Sequence, residues 1–131
     1  MNRAPKKVEW IPAHVEGRPG FRLMVILTAP GCAYARTAWG CTNCGFPQTF
    51  GTGKPVSAED YLAQVRAALA RIPAGIEAPV EVDLYNSGSY FNAEEVPETA
   101  QAAMLALAAA RPEVTALLVE SRPEYVSAAK L

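Results

Sequence analysis

The sequence predicts an α/β protein built from parallel strands joined by helices. Three observations carry that reading. Short apolar or alternating runs at residues 23–27, 80–85 and 114–119 have strand character. Two longer stretches between them repeat apolar residues at helical spacing. The order strand, helix, strand, helix, strand places a helical crossover between successive strands, which makes them parallel neighbours with right-handed connections.

Each element has a local cause. Residues 1–20 hold Pro5, Pro12, Gly17, Pro19 and Gly20 and read as an irregular leader, with residues 21–131 as the domain proper. The run LMVIL at 23–27 is apolar throughout, partly β-branched and followed by Pro30-Gly31, which suits a strand buried on both faces. The loop over residues 29–55 holds all three Cys and five Gly. Ser57, with Asp60 three residues on, starts a helix in the manner of a capping box. Tyr61, Leu62, Val65, Ala68, Leu69 and Ile72 trace one face of it, and Pro73 and Gly75 stop it. Val80, Val82 and Leu84 alternate with Glu81, Asp83 and Tyr85, so the second strand has one apolar face, and Asn86-Ser87-Gly88-Ser89 breaks it. Glu81 and Asp83 read equally well as lining a polar site or as facing solvent. A second helix is expected to begin near residues 94–98, whose acidic side chains suit the helix N-terminus. Val96, Ala100, Ala103, Met104 and Leu107 share its apolar face, and it must end by Arg111 because Pro112 follows. Residues 114–119 form the third strand, closed by Glu120-Ser121-Arg122-Pro123, and the last residues read as the start of another helix.

Composition narrows the class. At 131 residues the chain is one domain, and with half its residues hydrophobic it has enough apolar material for a core. Twelve Lys and Arg against thirteen Asp and Glu leave no bulk field to hold nucleic acid. The first 23 residues carry five positive and two negative charges, which reads as a solubilising basic tail. No apolar run approaches the roughly 18 residues of a membrane span, and no apolar segment follows the basic N-terminus as in a signal peptide. The expectation is a soluble, reduced, cytoplasmic protein with no membrane association.

The chemistry lies in the cysteines. Cys32, Cys41 and Cys44 read C-x8-C-x2-C directly after the first strand. An odd count cannot pair fully as disulfides, and thiolates are ligands for soft metals and iron–sulfur clusters. Three thiolates on one loop fit three corners of a four-iron cluster, leaving an iron open to a small molecule. Gly31, Gly40 and Gly45 each flank a Cys and give the backbone room to wrap. Structural zinc is the rival, but it asks for four ligands, and the sole His14 is 18 residues upstream of Cys32. Inert thiols are the second rival. Tyr34, Trp39 and Phe46 crowd the same loop, either to shield a cluster or simply to pack.

Three segments carry a family resemblance. Thr28-Ala-Pro-Gly-Cys32 through Gly40-Cys41-Thr-Asn-Cys44-Gly45-Phe46 resembles the cluster loop of radical S-adenosylmethionine (SAM) enzymes. Residues 84–91 (LYNSGSYF) resemble the turn after the second barrel strand, and residues 119–126 (VESRPEYV) the end of the third. Together they are similar to the elongator-like branch of that superfamily, in its archaeosine-type subgroup, over residues 21–126. The resemblance implies a partial, half TIM-type barrel of about three parallel βα units. It implies a [4Fe–4S] cluster on Cys32, Cys41 and Cys44, with S-adenosyl-L-methionine chelating the open iron and being cleaved to a 5′-deoxyadenosyl radical. It assigns cofactor contacts to Phe46, Ser87, Gly88, Ser89, Glu120 and Arg122. Asn43 stands where many members place an aromatic, so Phe46 or main-chain groups take over beside the adenine. Ser87-Gly88-Ser89 replaces a Gly-Gly-Glu turn, so the contact to the SAM amine is neutral or main-chain. A local ion pair is the simpler account of Glu120 and Arg122. The turn is expected to be separable from the cluster, with Gly88→Val weakening SAM binding alone.

A radical SAM barrel has six strands, and three are visible here. The expectation is therefore a homo-oligomer, or a second chain that completes the barrel. An electron donor such as ferredoxin or flavodoxin and a tRNA substrate follow from the resemblance alone. The alternative is a small iron–sulfur or zinc protein, or a split-enzyme subunit, without turnover of its own.

Overall fold

The computed structural model describes residues 2–33 and 51–130. Four strands form one mixed sheet in the order β1-β2-β3-β4. They are β1 (Lys7–Val15), β2 (Arg18–Ile26), β3 (Val80–Tyr85) and β4 (Val114–Val119). Helix α1 (Ala58–Leu69) connects β2 to β3, and α2 (Glu98–Ala109) connects β3 to β4. Two short 3-10 turns, Pro123–Tyr125 and Ala128–Lys130, follow β4.

The parallel part matches the expected order: β2 pairs with β3 and β3 with β4, both parallel. The half TIM-type barrel is overturned. β1 runs antiparallel to β2 and makes the sheet mixed, not a set of parallel βα units. Residues 7–15, read as irregular leader, are a nine-residue strand. The hairpin turns on Glu16 and Gly17, both at positive φ (52° and 78°), the backbone that a two-residue loop between twisted strands requires. Pro12 breaks the usual strand pattern but is tolerated because β1 is an edge strand, where a missing N–H need not cost a ladder bond. Trp10 stacks on Phe21 across the pair at 4.7 Å between ring centres, which fixes the register. β2 therefore begins five residues earlier than its apolar run. Gly20 permits this because any Cβ there would overlap the Pro79 carbonyl, which accepts the Phe21 amide at 3.0 Å.

Both helices cover one face of the sheet. Leu23, Val25 and Leu27 from the β2 region and Val80, Val82 and Leu84 from β3 meet Tyr61, Val65 and Ala68 of α1 and Ala100, Met104 and Ala108 of α2, all buried. Helix α1 begins as its sequence dictates, with the Ser57 hydroxyl accepting the Asp60 amide at 3.1 Å. Helix α2 ends before Pro112. Gln64 sits on the apolar face of α1 yet is fully buried. Its carbonyl accepts the Thr28 amide (2.7 Å), and its amide donates to the Thr28 and Asn2 carbonyls (3.0 and 2.7 Å). The free edge β4 shows Leu117 and Leu118 to solvent.

Candidate functional site

Parallel strands carry chemistry at their C-terminal ends, where the following loops converge. Here β2 leads into Gly31 (φ 94°), Cys32 and Ala33, β3 into the turn Asn86-Ser87-Gly88-Ser89, and β4 into Glu120-Ser121-Arg122. Backbone bonds tie the stems flanking residues 34–50: Thr52 and Gly53 donate to the Ala29 and Pro30 carbonyls, both at 2.9 Å. Cys41, Cys44 and Phe46 lie outside the described residues. Cys32 is a free, half-buried thiol.

The structure brings Cys32, the β3 turn and the β4 end together. A Cβ built on Gly88 would lie 2.7 Å from Cys32 Cα and 2.9 Å from its nitrogen, and would overlap Glu95 Oε1. Glycine is required there by close approach to Cys32. Gly88 is not at positive φ; Ser87 is, at 59°. Gly88→Val therefore cannot spare Cys32, contrary to the expectation from sequence. Ser89 is fully engaged in holding the turn: its amide donates to Glu95 Oε1 at 2.8 Å and its hydroxyl accepts the Arg122 amide at 3.0 Å. The Tyr90 amide donates to the Glu120 carbonyl at 2.8 Å. The Arg122 side chain forms an ion pair with Glu124 at 2.7 Å, a local pair with a different partner from the one considered from sequence.

Ser87 and Glu120 line a cavity of about 230 Å³ with Met24, Ile26 and Tyr85, on the sheet face away from the helices. Ser87 Oγ is buried and has no hydrogen-bond partner among the described residues; the same holds for Asn86 Oδ1 and Asp83 Oδ1. Buried polar atoms left unpaired are costly, and of these three residues only Ser87 lines the cavity, so its hydroxyl is the group a ligand or water there would complete. Next to the cavity, Arg22 donates from Nε to Asp83 Oδ2 at 2.7 Å and from its terminal nitrogen to the Tyr85 hydroxyl at 3.4 Å. Asp83 is fully buried, and the Arg22 guanidinium keeps its own pKa above the ordinary value by bonding to it. The Glu81 carboxyl is also raised, first by hydrogen bonding to Asp83, then by burial and by Asp83's charge, with Arg22 opposing. Burial lifts the Tyr85 hydroxyl, helped by Asp83. Asp83 is thus neither solvent-facing nor an open lining group but the anchor of an ion pair.

Sequence reasoning missed Glu95. It was expected to serve the N-terminus of α2. Instead it turns inward, is 2% exposed and accepts four hydrogen bonds. Oε1 takes the Ser89 amide (2.8 Å) and Asn86 Nδ2 (3.3 Å); Oε2 takes the Ala33 amide (3.1 Å) and Asn92 Nδ2 (3.0 Å). Its carbonyl accepts the Tyr61 hydroxyl at 2.8 Å, and burial together with Glu95's charge pushes that phenol's pKa up. The only signal in the sequence was its distance from the usual N-cap position, two residues before Pro97.

The fold and site define an α/β protein in which Cys32, just after one parallel strand, is held against the glycine turn of the neighbouring strand. Comparison with known proteins adds the relatives. The chain is 37% identical over 105 residues to archaeosine synthase subunit beta of Methanosarcina acetivorans, a match covering 80% of this chain and 29% of that protein. It is 33% identical over 114 residues to archaeosine synthase subunit beta of Thermococcus kodakarensis, covering 86% and 34%. An uncharacterized protein of Methanocaldococcus jannaschii is 28% identical over 114 residues, covering 86% and 31%. The chain spans about a third of the length of these curated relatives. No family model and no solved structure matches it. No helix among the described residues is long and apolar enough to cross a membrane.

Proposed function

We propose that the chain holds a [4Fe–4S] cluster on Cys32, Cys41 and Cys44, binds S-adenosyl-L-methionine beside it, and contributes these groups to a radical enzyme of archaeosine formation in tRNA. The observation that supports the reading is the packing of Gly88 on the Cys32 backbone, which brings the first Cys of the motif beside the Ser87–Ser89 turn. The chemistry of the donors suits such a cluster: Cys32 is half-buried and free among the described residues, and three thiolates would leave one iron for a small chelating ligand. Cys32, Cys41 and Cys44 would hold the cluster, which would supply one-electron reducing chemistry to a bound S-adenosyl-L-methionine.

The chain's own residues do the rest by position and exclusion of water. Ser87 Oγ, buried without a partner among the described residues, offers a hydrogen bond to a ligand in the adjoining cavity, and Glu120, just after the neighbouring strand β4, offers a carboxylate. Met24 and Ile26 give that cavity an apolar floor. The Ser89 hydroxyl accepts the Arg122 main-chain amide, a bond that ties the β3 turn to the end of β4. The relatives' designation as a beta subunit favours work alongside a second chain. A low-potential donor such as ferredoxin or flavodoxin would supply the electron that the cluster reading requires.

Anaerobic reconstitution tests the reading. The wild-type chain should take up about four irons. Cys32→Ala, Cys41→Ala and Cys44→Ala should each abolish uptake. Retention of full iron by any one of them, or a tetrahedral zinc site with no iron uptake, contradicts it.

A further inference from the structure

Glu95 is a buried carboxylate that forms no ion pair among the described residues, and burying a charge is expensive unless hydrogen bonds compensate. Here four N–H donors compensate, and they come from three separate places: the residue after Cys32, the turn after β3, and Asn92 ahead of α2. The two carboxylate oxygens divide the work. Oε2 takes the main-chain amide of Ala33 and Oε1 that of Ser89, so one side chain spans the gap between the cysteine loop and the β3 turn. Gly88 lies in the same gap, pressed against both Cys32 and Glu95. The Tyr61 hydroxyl, reaching up from α1, fixes the Glu95 main chain behind it.

We propose that Glu95 is the positioning residue that sets Cys32 against the Ser87-Gly88-Ser89 turn, its two oxygens acting as a clamp between the two backbones. The proposal rests on the reading of Cys32 as a cluster ligand for its role in the reaction. The clamp needs a carboxylate specifically. A Gln side chain has one acceptor oxygen and one NH2 group. The Asn86 and Asn92 amides can turn over, but the Ala33 and Ser89 main-chain amides cannot. Whichever way a Gln at 95 points, one backbone N–H meets another donor. Glu95→Gln therefore opens one side of the clamp while keeping the side chain's size.

The test uses the iron-free chain, so it stands apart from iron uptake, which tests the cluster itself. Cys32 alkylation by iodoacetamide is followed by peptide mass spectrometry, with Gln64→Leu as a control that breaks a different buried amide network. Glu95→Gln should raise the Cys32 rate about tenfold, the change expected when one buried hydrogen bond is lost, and Gln64→Leu should not. Equal effects from the two variants overturn the proposal. Hydrogen exchange of the wild-type chain gives a readout that needs no variant. The Ala33 amide should exchange as slowly as that of Ser89. Free exchange at Ala33 beside a protected Ser89 also overturns it.

Discussion

Gly88 lies so close to Cys32 that a methyl group on it would stand 2.7 Å from the Cys32 Cα. Two loops that are 56 positions apart in sequence thus share one van der Waals surface, and the smallest side chain is what lets them meet. A side chain at position 88 would therefore press on the Cys32 backbone.

Gly88→Ala should therefore lower stability by about 1–3 kcal/mol, the range for overpacking a tight site, and reduce iron retention in the reconstituted chain. Gly75→Ala is the control. Gly75 is at φ 76° with open space around it, so that variant carries backbone strain but no clash. Urea unfolding and iron assay of both variants check this. A Gly88→Ala chain that keeps its iron as firmly as wild type removes the coupling.

The Arg22–Asp83 pair gives a second expectation. Asp83 is fully buried while Arg22 remains partly exposed. Asp83→Ala removes the buried, shortest partner of the guanidinium and leaves it only Glu81 at 3.8 Å and the Tyr85 hydroxyl at 3.4 Å, so it should cost roughly 2–4 kcal/mol, near the values seen when one member of a buried pair is removed. Denaturant unfolding measures it. A loss under half a kilocalorie, on the order of a surface pair, shows that the burial carries little weight.

Glu81 sets a pH dependence at the same place. Its carboxyl titrates above the ordinary 4.5 because Asp83 hydrogen-bonds to it and repels its charge. A raised folded pKa means that the fold favours the protonated form. The contribution is fully present below the ordinary carboxylate pKa and is lost as pH rises through the raised value. Carboxyl NMR should show Glu81 returning toward its ordinary midpoint in Asp83→Asn. A midpoint that stays put in that variant assigns the shift to burial instead.

Glu16 carries positive φ without being glycine. Asn tolerates that backbone better, so Glu16→Asn should stabilise the hairpin by about 0.5–1 kcal/mol, a rise of a few degrees in Tm. Calorimetry checks it, and a fall in Tm shows that the Glu16 side chain contributes something more than its backbone costs.

Much of this architecture was legible in the residues. Strands β3 and β4 and the stop of α2 follow from alternation at 80–85, the run at 114–119 and Pro112. The start of α1 follows from Ser57. What was not legible depends on pairing across sequence distance. β1 was hidden because Pro12 and a charged, half-exposed pattern are allowed only at a sheet edge, and an edge is a property of the sheet. That hidden strand is why the half-barrel expectation fails. Asp83 gave no sign of burial because its partner, Arg22, is on another strand. Glu95 looked like a helix-start acid because its four donors lie on segments that only the fold brings together. Among the site residues, Gly88 packs on Cys32, Ser87 and Glu120 line one cavity, and the Ser89 hydroxyl accepts the Arg122 amide, contacts that only the fold brings about.

Electron paramagnetic resonance of the anaerobically reconstituted, dithionite-reduced chain, recorded with and without S-adenosyl-L-methionine, decides whether the cysteine loop and its neighbouring cavity form one site. The account predicts a reduced four-iron signal whose g-values shift on addition of SAM, because the ligand binds the iron that the three thiolates leave open. A cluster signal that SAM does not alter, or the absence of any cluster in a chain with all three Cys intact, contradicts it.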